Sequence, residues 1–141
     1  MEWTQMARCQ QQLQKITRAL LPDRASMLTV SEFELLARLY LHPEDNTPIQ
    51  LSQDSGMKKE AVSRCLKALD EKGCIRKERQ TTDERSYRLF LTENGLEELR
   101  KGYESILRPF YQLWRSDKAD FEDFMGCVDR LAAHIEKGQG R

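Results

Sequence analysis

Apolar residues recur at three- and four-residue spacings in five stretches of the chain, a pattern typical of amphipathic α-helices. In residues 2–21 they form one narrow stripe on an otherwise polar helix that stops before a proline. Two more long stretches lie near the other end of the chain. One begins after Thr92, which is placed to cap it, and the last begins near Asp117. Pro109 lies inside the former, so we predict a bend between residues 105 and 109.

The second helix is predicted over residues 31–41, with Ser31 at its start. Ser31 and Glu34 have the spacing of a capping box, in which each side chain accepts a hydrogen bond from the other residue's amide. Val30 and Leu35 are placed to pack together as a hydrophobic staple across this first turn.

A short helix, a glycine turn and a longer helix follow one another between residues 48 and 73. Pro48 suits the first turn of a helix that runs to about residue 55, and Gly56 allows a tight turn. Gly73 is placed to end the longer helix, residues 58–72. The inward face of that helix is predicted to carry Val62, Cys65, Leu66 and Leu69. This order of elements predicts a helix-turn-helix.

The periodicity then changes from helical to alternating. Residues 74–79 and 86–91 alternate apolar and polar side chains, while residues 80–84 are polar and turn-like. We therefore predict a β-hairpin, and both of its strands carry arginines.

Composition limits the class of protein. A chain of 141 residues with 33% charged residues suits one compact domain, and it has no apolar run long enough to cross a membrane. The first residues show neither a basic leader nor an apolar core, so we expect no secretory signal and a cytosolic protein. The net charge is zero, but residues 58–88 hold ten Lys or Arg and six Asp or Glu. A neutral chain with one basic third has a preferred side for a phosphate backbone.

No pattern of reactive side chains indicates an enzyme or a metal site. The four cysteines and two histidines are scattered without metal-ligand spacing, and no glycine-rich phosphate loop or nucleophile elbow occurs. We therefore predict no catalytic residues, no metal ligands and no cofactor.

Three segments carry a resemblance to a known family. They are the run Glu60-Ala-Val-Ser-Arg-Cys-Leu-Lys-Ala-Leu-Asp-Glu-Lys-Gly73, the sequence Asp83-Glu-Arg-Ser86 in the hairpin, and Leu89-Phe-Leu-Thr-Glu-Asn-Gly95 at a fixed distance after it. Together they resemble the MarR family of winged helix-turn-helix transcription regulators over roughly residues 30–100.

The resemblance implies a mainly α fold with a small β-hairpin (α+β), in which a winged helix-turn-helix is flanked by helices that form a dimer. We expect one structural domain with three regions: an N-terminal dimerisation helix at 1–29, the DNA-binding region at 30–92 and C-terminal dimerisation helices at 93–141. The implied function is sequence-specific binding of double-stranded DNA, and the implied role is that of a repressor on a palindromic operator.

The longer helix is the candidate recognition helix. With Val62, Leu66 and Leu69 turned inward, its opposite face carries side chains suited to DNA, namely Lys58, Lys59, Glu60, Ser63, Arg64 and Lys67. Arg64 suits a bidentate contact to guanine and Glu60 an acceptor contact to cytosine, whereas Ser63 suits either a base or a phosphate. The three lysines suit phosphates. Lys58 stands where the family usually has a small hydroxyl cap, and lysine cannot cap a helix.

The hairpin supplies the candidate wing. Arg85 is the candidate for a minor-groove contact, because that groove attracts arginine, while Arg76, Arg79 and Arg88 are candidates for phosphate contacts. The resemblance implies that Asp83 pairs with arginine and holds the shape of the wing.

Two further expectations concern assembly and control. The narrow seams of the terminal helices suit packing against a second copy, so we predict a homodimer. The resemblance also implies a small anionic, often phenolic, effector between the dimer helices and the winged region. Its candidate aromatic neighbours are Trp3, Tyr40, Tyr103, Tyr111 and Trp114. Two alternatives stay open: a redox-sensing regulator that uses Cys9, although buried structural thiols are expected for all four cysteines, and a winged helix used only for protein contacts.

Overall fold

A computed structural model describes residues 1–20, 26–80 and 83–139, without the side chains of residues 20, 80, 83–86 and 139. Within that part of the chain lie six α-helices and two β-strands, in the order α1 (Trp3–Leu20), α2 (Val30–Leu41), α3 (Pro48–Ser55), α4 (Lys59–Glu71), β1 (Ile75–Gln80), β2 (Asp83–Leu91), α5 (Glu93–Ser116) and α6 (Lys118–Gln139). A mainly helical chain with one antiparallel hairpin confirms the predicted fold class.

The chain forms two compact units. Residues 22–105 make one unit and residues 1–21 with 106–141 make the other, so α5 contributes to both. The unit of residues 22–105 contains the predicted 30–92 region and has a closely packed apolar core. That core is built by Phe33, Leu35, Leu36, Ala37, Leu39, Leu51, Val62, Leu66, Leu69, Cys74, Ile75, Leu89 and Leu99.

Helix α2 begins earlier than predicted. Thr29, not Ser31, is its N-cap: the Thr29 hydroxyl accepts from the Glu32 amide at 3.2 Å, and the Glu32 carboxylate accepts from the Thr29 amide at 3.2 Å. The staple prediction is wrong for the same reason. Val30 is already the first helical residue and is exposed, so the position before the cap belongs to Leu28, which packs against the core.

The helix-turn-helix matches its prediction closely. Helix α3 spans Pro48–Ser55, with proline in its first turn, and the following Gly56 has a φ of 70°. Helix α4 spans Lys59–Glu71, and Gly73 beyond it has a φ of 71°. Both glycines occupy the left-handed region that side chains disfavour, which is why glycine suits these two turns.

Both hairpin strands extend farther toward the turn than predicted, and β2 is three residues longer. Strand β1 reaches Gln80 and β2 begins at Asp83, and these two residues pair with each other after an irregularity next to Arg79. The predicted turn over residues 80–84 was therefore too long. Gln80, Asp83 and Glu84 continue the strands because the pairing of two backbones does not require apolar side chains.

The start of α5 closes the unit of residues 22–105. The Thr92 hydroxyl accepts from the Gly95 amide at 3.1 Å, which confirms Thr92 as the cap. A β-carbon on Gly95 would lie 2.1 Å from the Cys74 carbonyl oxygen, so only glycine lets the two backbones meet here. Farther along, α5 is one continuous helix through Pro109, and the bend there stays a prediction.

The other unit is formed by α1, the second half of α5 and α6. Phe110 of α5 and Phe121 of α6 meet edge to face, with ring centroids 5.0 Å apart. The Asp117 carboxylate accepts from the Asp120 amide at 3.1 Å at the start of α6, which is close to the predicted start. None of the described helices combines the length and the apolar character that crossing a membrane requires.

Candidate nucleic-acid interface

Helix α4 has two contrasting faces. Val62, Leu66 and Leu69 are buried in the core, as predicted, whereas Cys65 is only half-buried. All six predicted DNA-binding side chains are exposed: Lys58, Lys59, Glu60, Ser63, Arg64 and Lys67. The geometry therefore separates a packing face from a polar outward face, which we call the α4 outer face and define by these six residues.

Side chains of the α4 outer face have no polar side-chain partner among the described residues of the protomer. None of the six forms a hydrogen bond or an ion pair with another side chain among the residues that the structure describes. Lys58 is the N-cap residue, yet its side chain makes no capping hydrogen bond. The first-turn amides of α4 thus have no side-chain acceptor from that residue, and a helix N-terminus of this kind attracts anions.

Neighbouring elements fix both ends of α4. On the side of α3, the Ser52 hydroxyl donates to the Met57 carbonyl at 3.0 Å. At the other end, the Asn94 amide donates to the Lys72 carbonyl at 3.0 Å and the Thr92 hydroxyl donates to the Gly73 carbonyl at 2.5 Å. The bonds to the Lys72 and Gly73 carbonyls pair acceptors at the C-terminal end of α4, where a helix leaves its last carbonyls without partners. Helix α4 is therefore held as a rigid part of the unit.

The hairpin places the candidate arginines Arg79 and Arg88 on opposite faces. Arg79 pairs with Tyr87 in the register, and Arg88 follows Tyr87, so alternation puts Arg88 on the other face of β2. Both residues are exposed. The side chains of Asp83 and Arg85 lie outside the described residues, so the roles expected for them stay predictions.

Arg76 and Lys77 of the hairpin form ion pairs within the protomer. Arg76 forms an ion pair with Glu78, and its guanidinium lies 4.7 Å from the centre of the Phe90 ring. Lys77 lies 3.9 Å from the Asp70 carboxylate of α4, which links the hairpin to that helix. These contacts favour a positioning role for Arg76 and Lys77.

Asn46 is a positioning residue that the sequence analysis missed. It lies buried between α2 and α3, and its side-chain amide donates to the Leu89 carbonyl at 3.2 Å. Its backbone carbonyl accepts from the Leu89 amide at 2.9 Å. Asn46 thus pairs with β2 and seats the base of the hairpin on the helical core. No local sequence pattern predicts a contact between residues 43 positions apart.

Two of the four cysteines are buried or half-buried, and two are exposed. Cys74 is fully buried and Cys65 half-buried, and burial raises the pKa of both thiols above the ordinary value, with nearby Glu98 and Glu32 acting in the same direction. Cys9 and Cys127 are exposed in the protomer, and their burial in a dimer stays a prediction. Cys9 remains available for the redox alternative, which stays a prediction.

The aromatic candidates for an effector site divide between the two units. Tyr103 packs on Phe33 in the unit of residues 22–105, with centroids 5.0 Å apart, and Tyr40 of the same unit is exposed. Tyr111 stacks on Trp114 in the other unit at 5.6 Å, and Trp3 of that unit is exposed. Within the described residues, no group of three or more His, Cys, Asp or Glu is arranged to hold a metal ion.

Comparison with known proteins shows which family this arrangement resembles. Residues 28–87 match the MarR family. A MarR transcriptional regulator from Methanosarcina mazei Go1 is 25% identical, with a TM-score of 0.68 over 79% of this chain and 80% of that one. Residues 28–87, which carry the sequence pattern of the MarR family, include α2, α3, all of α4 and most of the hairpin.

Two more distant structures share the fold along nearly the whole chain. The regulator BldR from Sulfolobus solfataricus is 18% identical, with a TM-score of 0.71 over 95% of this chain and 99% of that one. The PcaV regulator from Streptomyces coelicolor, solved with its natural ligand, is 21% identical, with a TM-score of 0.67 over 94% and 93%. The chain therefore shares their winged-helix fold.

Proposed function

We propose that this chain is a sequence-specific, DNA-binding regulator of transcription that inserts α4 into the major groove. The observation that carries the proposal is the α4 outer face, where six exposed side chains have no described partner in the protomer although the helix behind them is rigidly packed. A helix of 13 residues is about 20 Å long, which suits a groove about 12 Å wide.

Within this proposal, the side chains of the α4 outer face contact either bases or phosphates. Arg64 and Glu60 contact base edges, as donor to guanine and acceptor from cytosine, and Ser63 serves a base or a phosphate. Lys59 and Lys67 contact phosphates and set the register. Lys58 stands beside the uncapped first turn of α4, where a phosphate accepts from the helix amides and also neutralises the lysine.

The hairpin is the wing in this proposal. Arg85 enters the adjacent minor groove, and Asp83 holds the wing in shape. Arg79 and Arg88 lie on opposite faces of the hairpin, so they contact phosphates on different strands or at different positions along one strand. Seating of the hairpin by Asn46 keeps the wing at a fixed place relative to α4.

The functional unit is a homodimer that binds a palindromic operator. In the unit formed by residues 1–21 and 106–141, large apolar side chains remain exposed in the protomer, among them Trp3 at 79%, Leu131 at 65% and Ile135 at 60%. Exposed apolar surface of this extent supports burial against a second copy. Two α4 helices then meet half-sites about 34 Å apart, and the dimer represses by covering the promoter. Such a protein acts at the nucleoid, in a bacterial or archaeal cytosol.

A small anionic, aromatic molecule is the proposed effector. An open depression of about 420 Å³ on the second half of α5 is lined by Arg108, Arg115 and Tyr111, so it offers two cations beside an aromatic ring. The PcaV regulator was solved with a natural ligand, which supports ligand control of this fold. Binding of an aromatic carboxylate such as 4-hydroxybenzoate is expected to weaken the complex with DNA.

Selection of bound sequences from random duplexes tests the function. Wild-type protein is expected to enrich a palindrome, with affinity falling steeply between about 50 and 200 mM salt, because phosphate contacts release counterions. Repeating the selection with 4-hydroxybenzoate tests the effector. Recovery of a single, unsymmetrical half-site would contradict the dimer, and salt-independent binding would contradict the phosphate contacts.

Two variants test the assignment of residues. Arg64→Ala is expected to relax base preference at one position and to cost about 1 to 3 kcal/mol of binding free energy. Lys67→Ala is expected to weaken binding to all sequences alike and to lower the salt slope by about 1. Lys137→Ala, a loss of one exposed charge on α6, is the matched control and should leave both properties unchanged. If Arg64→Ala weakens binding without changing preference, α4 does not recognise bases as proposed.

A further inference from the structure

The C-terminal end of α4 is joined to α2 and α5 through one peptide segment. The segment precedes α2, and the backbone groups of Met27 within it are hydrogen-bonded on both sides. The Met27 amide donates to the Glu98 carboxylate of α5 at 3.3 Å, and the Met27 carbonyl accepts from the Lys72 ammonium at 2.9 Å. We call the group Ser26, Met27, Glu32, Lys72 and Glu98 the Met27 junction.

On the α4 side, the junction is a charge-assisted bond. The Lys72 ammonium lies 2.5 Å from the Glu32 carboxylate, whose side chain is only 8% exposed. The same carboxylate oxygen of Glu32 accepts from the Thr29 amide at the start of α2. Ionised donors and acceptors make stronger hydrogen bonds than neutral ones, and removing one member leaves the other buried without its partner. Lys72 therefore ties the end of α4 to the beginning of α2.

On the α5 side, the carboxylate of Glu98 holds the segment. Its side chain is 6% exposed, and one oxygen accepts from both the Met27 amide and the Ser26 hydroxyl, the latter at 3.4 Å. The other oxygen lies 3.3 Å from the Lys101 ammonium. Lys72 and Glu98 are thus linked through the backbone of Met27, whose carbonyl binds Lys72 and whose amide binds Glu98.

The place of the junction in the chain gives it a role beyond stability. The chain passes between the two compact units twice, at residues 21–22 and at residues 105–106. Ser26 and Met27 come shortly after the first passage, and Glu98 lies on α5, the helix that makes the second. Both covalent routes into the unit of residues 22–105 therefore lead to the Met27 junction, and Lys72 connects that junction to α4.

We propose that the Met27 junction positions α4 and transmits to it any displacement of α5 or of the segment before α2. The inference rests on the proposed function, in which α4 contacts DNA. Lys72 and Glu98 are positioning residues in this scheme. Neither contacts DNA, because the Lys72 ammonium is already bonded to Met27 and Glu32, and Glu98 is buried.

Salt dependence of DNA binding distinguishes positioning from phosphate contact. Lys72→Met keeps an apolar stem and removes the ammonium, and it is expected to weaken operator binding by about 2- to 30-fold with an unchanged salt slope. Lys67→Met, the matched control on the α4 outer face, should lower the slope by about 1. Lys72→Arg restores a cation with several donors and is expected to restore most of the affinity. A lowered slope for Lys72→Met would overturn the positioning role.

Amide hydrogen exchange on the free protein tests transmission without DNA. Glu98→Ala is expected to speed exchange at the amides of Lys72 and Cys74, which close the end of α4, by about 2- to 30-fold relative to the Leu51 amide of α3. Glu97→Ala, on the same helix but on its exposed side, is the matched control and should leave this ratio unchanged. Glu98→Met fills the same buried space without an acceptor for Met27, and it replaces the alanine variant if that variant does not fold.

The two experiments have separate consequences. Equal exchange ratios for the variants at Glu98 and Glu97 would overturn the junction, even if the wild-type protein binds its operator as proposed. Failure of the wild-type protein to bind any duplex would overturn the proposed function, while the exchange ratio would still support or overturn transmission from α5 to the end of α4.

Discussion

The approach of α5 to the end of α4 makes a sharp prediction for Gly95→Ala. The added methyl group would lie 2.1 Å from the carbonyl oxygen of Cys74 and 3.0 Å from its carbonyl carbon. Both atoms belong to the backbone, so the two chains must separate by more than 1 Å to reach ordinary contact near 3.5 Å. Separation weakens three hydrogen bonds, which run from Thr92 and Asn94 to the residues that end α4.

The magnitude follows from these contacts. Losing three bonds at about 1 kcal/mol each lowers the free energy of unfolding by about 3 kcal/mol. The higher helix propensity of alanine raises it by about 1 kcal/mol. Gly95→Ala should therefore lower the free energy of unfolding by about 2 kcal/mol in denaturant titrations followed by circular dichroism. Gly126→Ala is the matched control: its methyl group would meet nothing closer than 3.5 Å, and it should stabilise the protein. A Gly95→Ala protein at least as stable as wild type would refute the close approach.

Four further predictions concern the cap of α2, the wing and the thiols. Thr29→Ala should lower the free energy of unfolding by about 1 kcal/mol and Ser31→Ala by less than about 0.5, and equal losses would contradict the observed cap. Asn46→Ala should cost about 1 to 3 kcal/mol in thermal unfolding, because it leaves a buried carbonyl of β2 unpaired. A maleimide should label exposed Cys127 in the native protein and Cys74 only after denaturation. Because burial raises the pKa of Cys74, its folded form holds the proton more tightly, so stability present at pH 7 should decline as the pH rises past about 8.5.

Where one face of an element packs on the core, the sequence was sufficient to predict it. The spacing of Val62, Leu66 and Leu69 allows only one inward face for α4, and glycine is the residue that adopts the left-handed conformation of the turns after α3 and α4 without strain. The outward set of α4 followed directly, because it is the remainder of the same helix.

Predictions were weaker where local patterns compete or where the contact is distant. Thr29 with Glu32 and Ser31 with Glu34 offer the same capping-box spacing two residues apart, and only the packing of residue 28 decides between them. The bond between Lys72 and Glu32 joins residues 40 positions apart, so no periodicity reveals it. Lysine at a helix end has an ordinary local explanation, which conceals its role in the Met27 junction.

The separation of the two faces of α4 has an evolutionary consequence. The buried leucines and valine carry the packing, and the α4 outer face forms no hydrogen bond or ion pair with a described side chain. Under the proposed function, substitutions on that face therefore change what the protein binds at almost no cost to its folding. A duplicated copy of the gene can thus acquire a new target site one residue at a time while every intermediate remains folded. The same independence makes this helix a practical starting point for engineering regulators with altered targets.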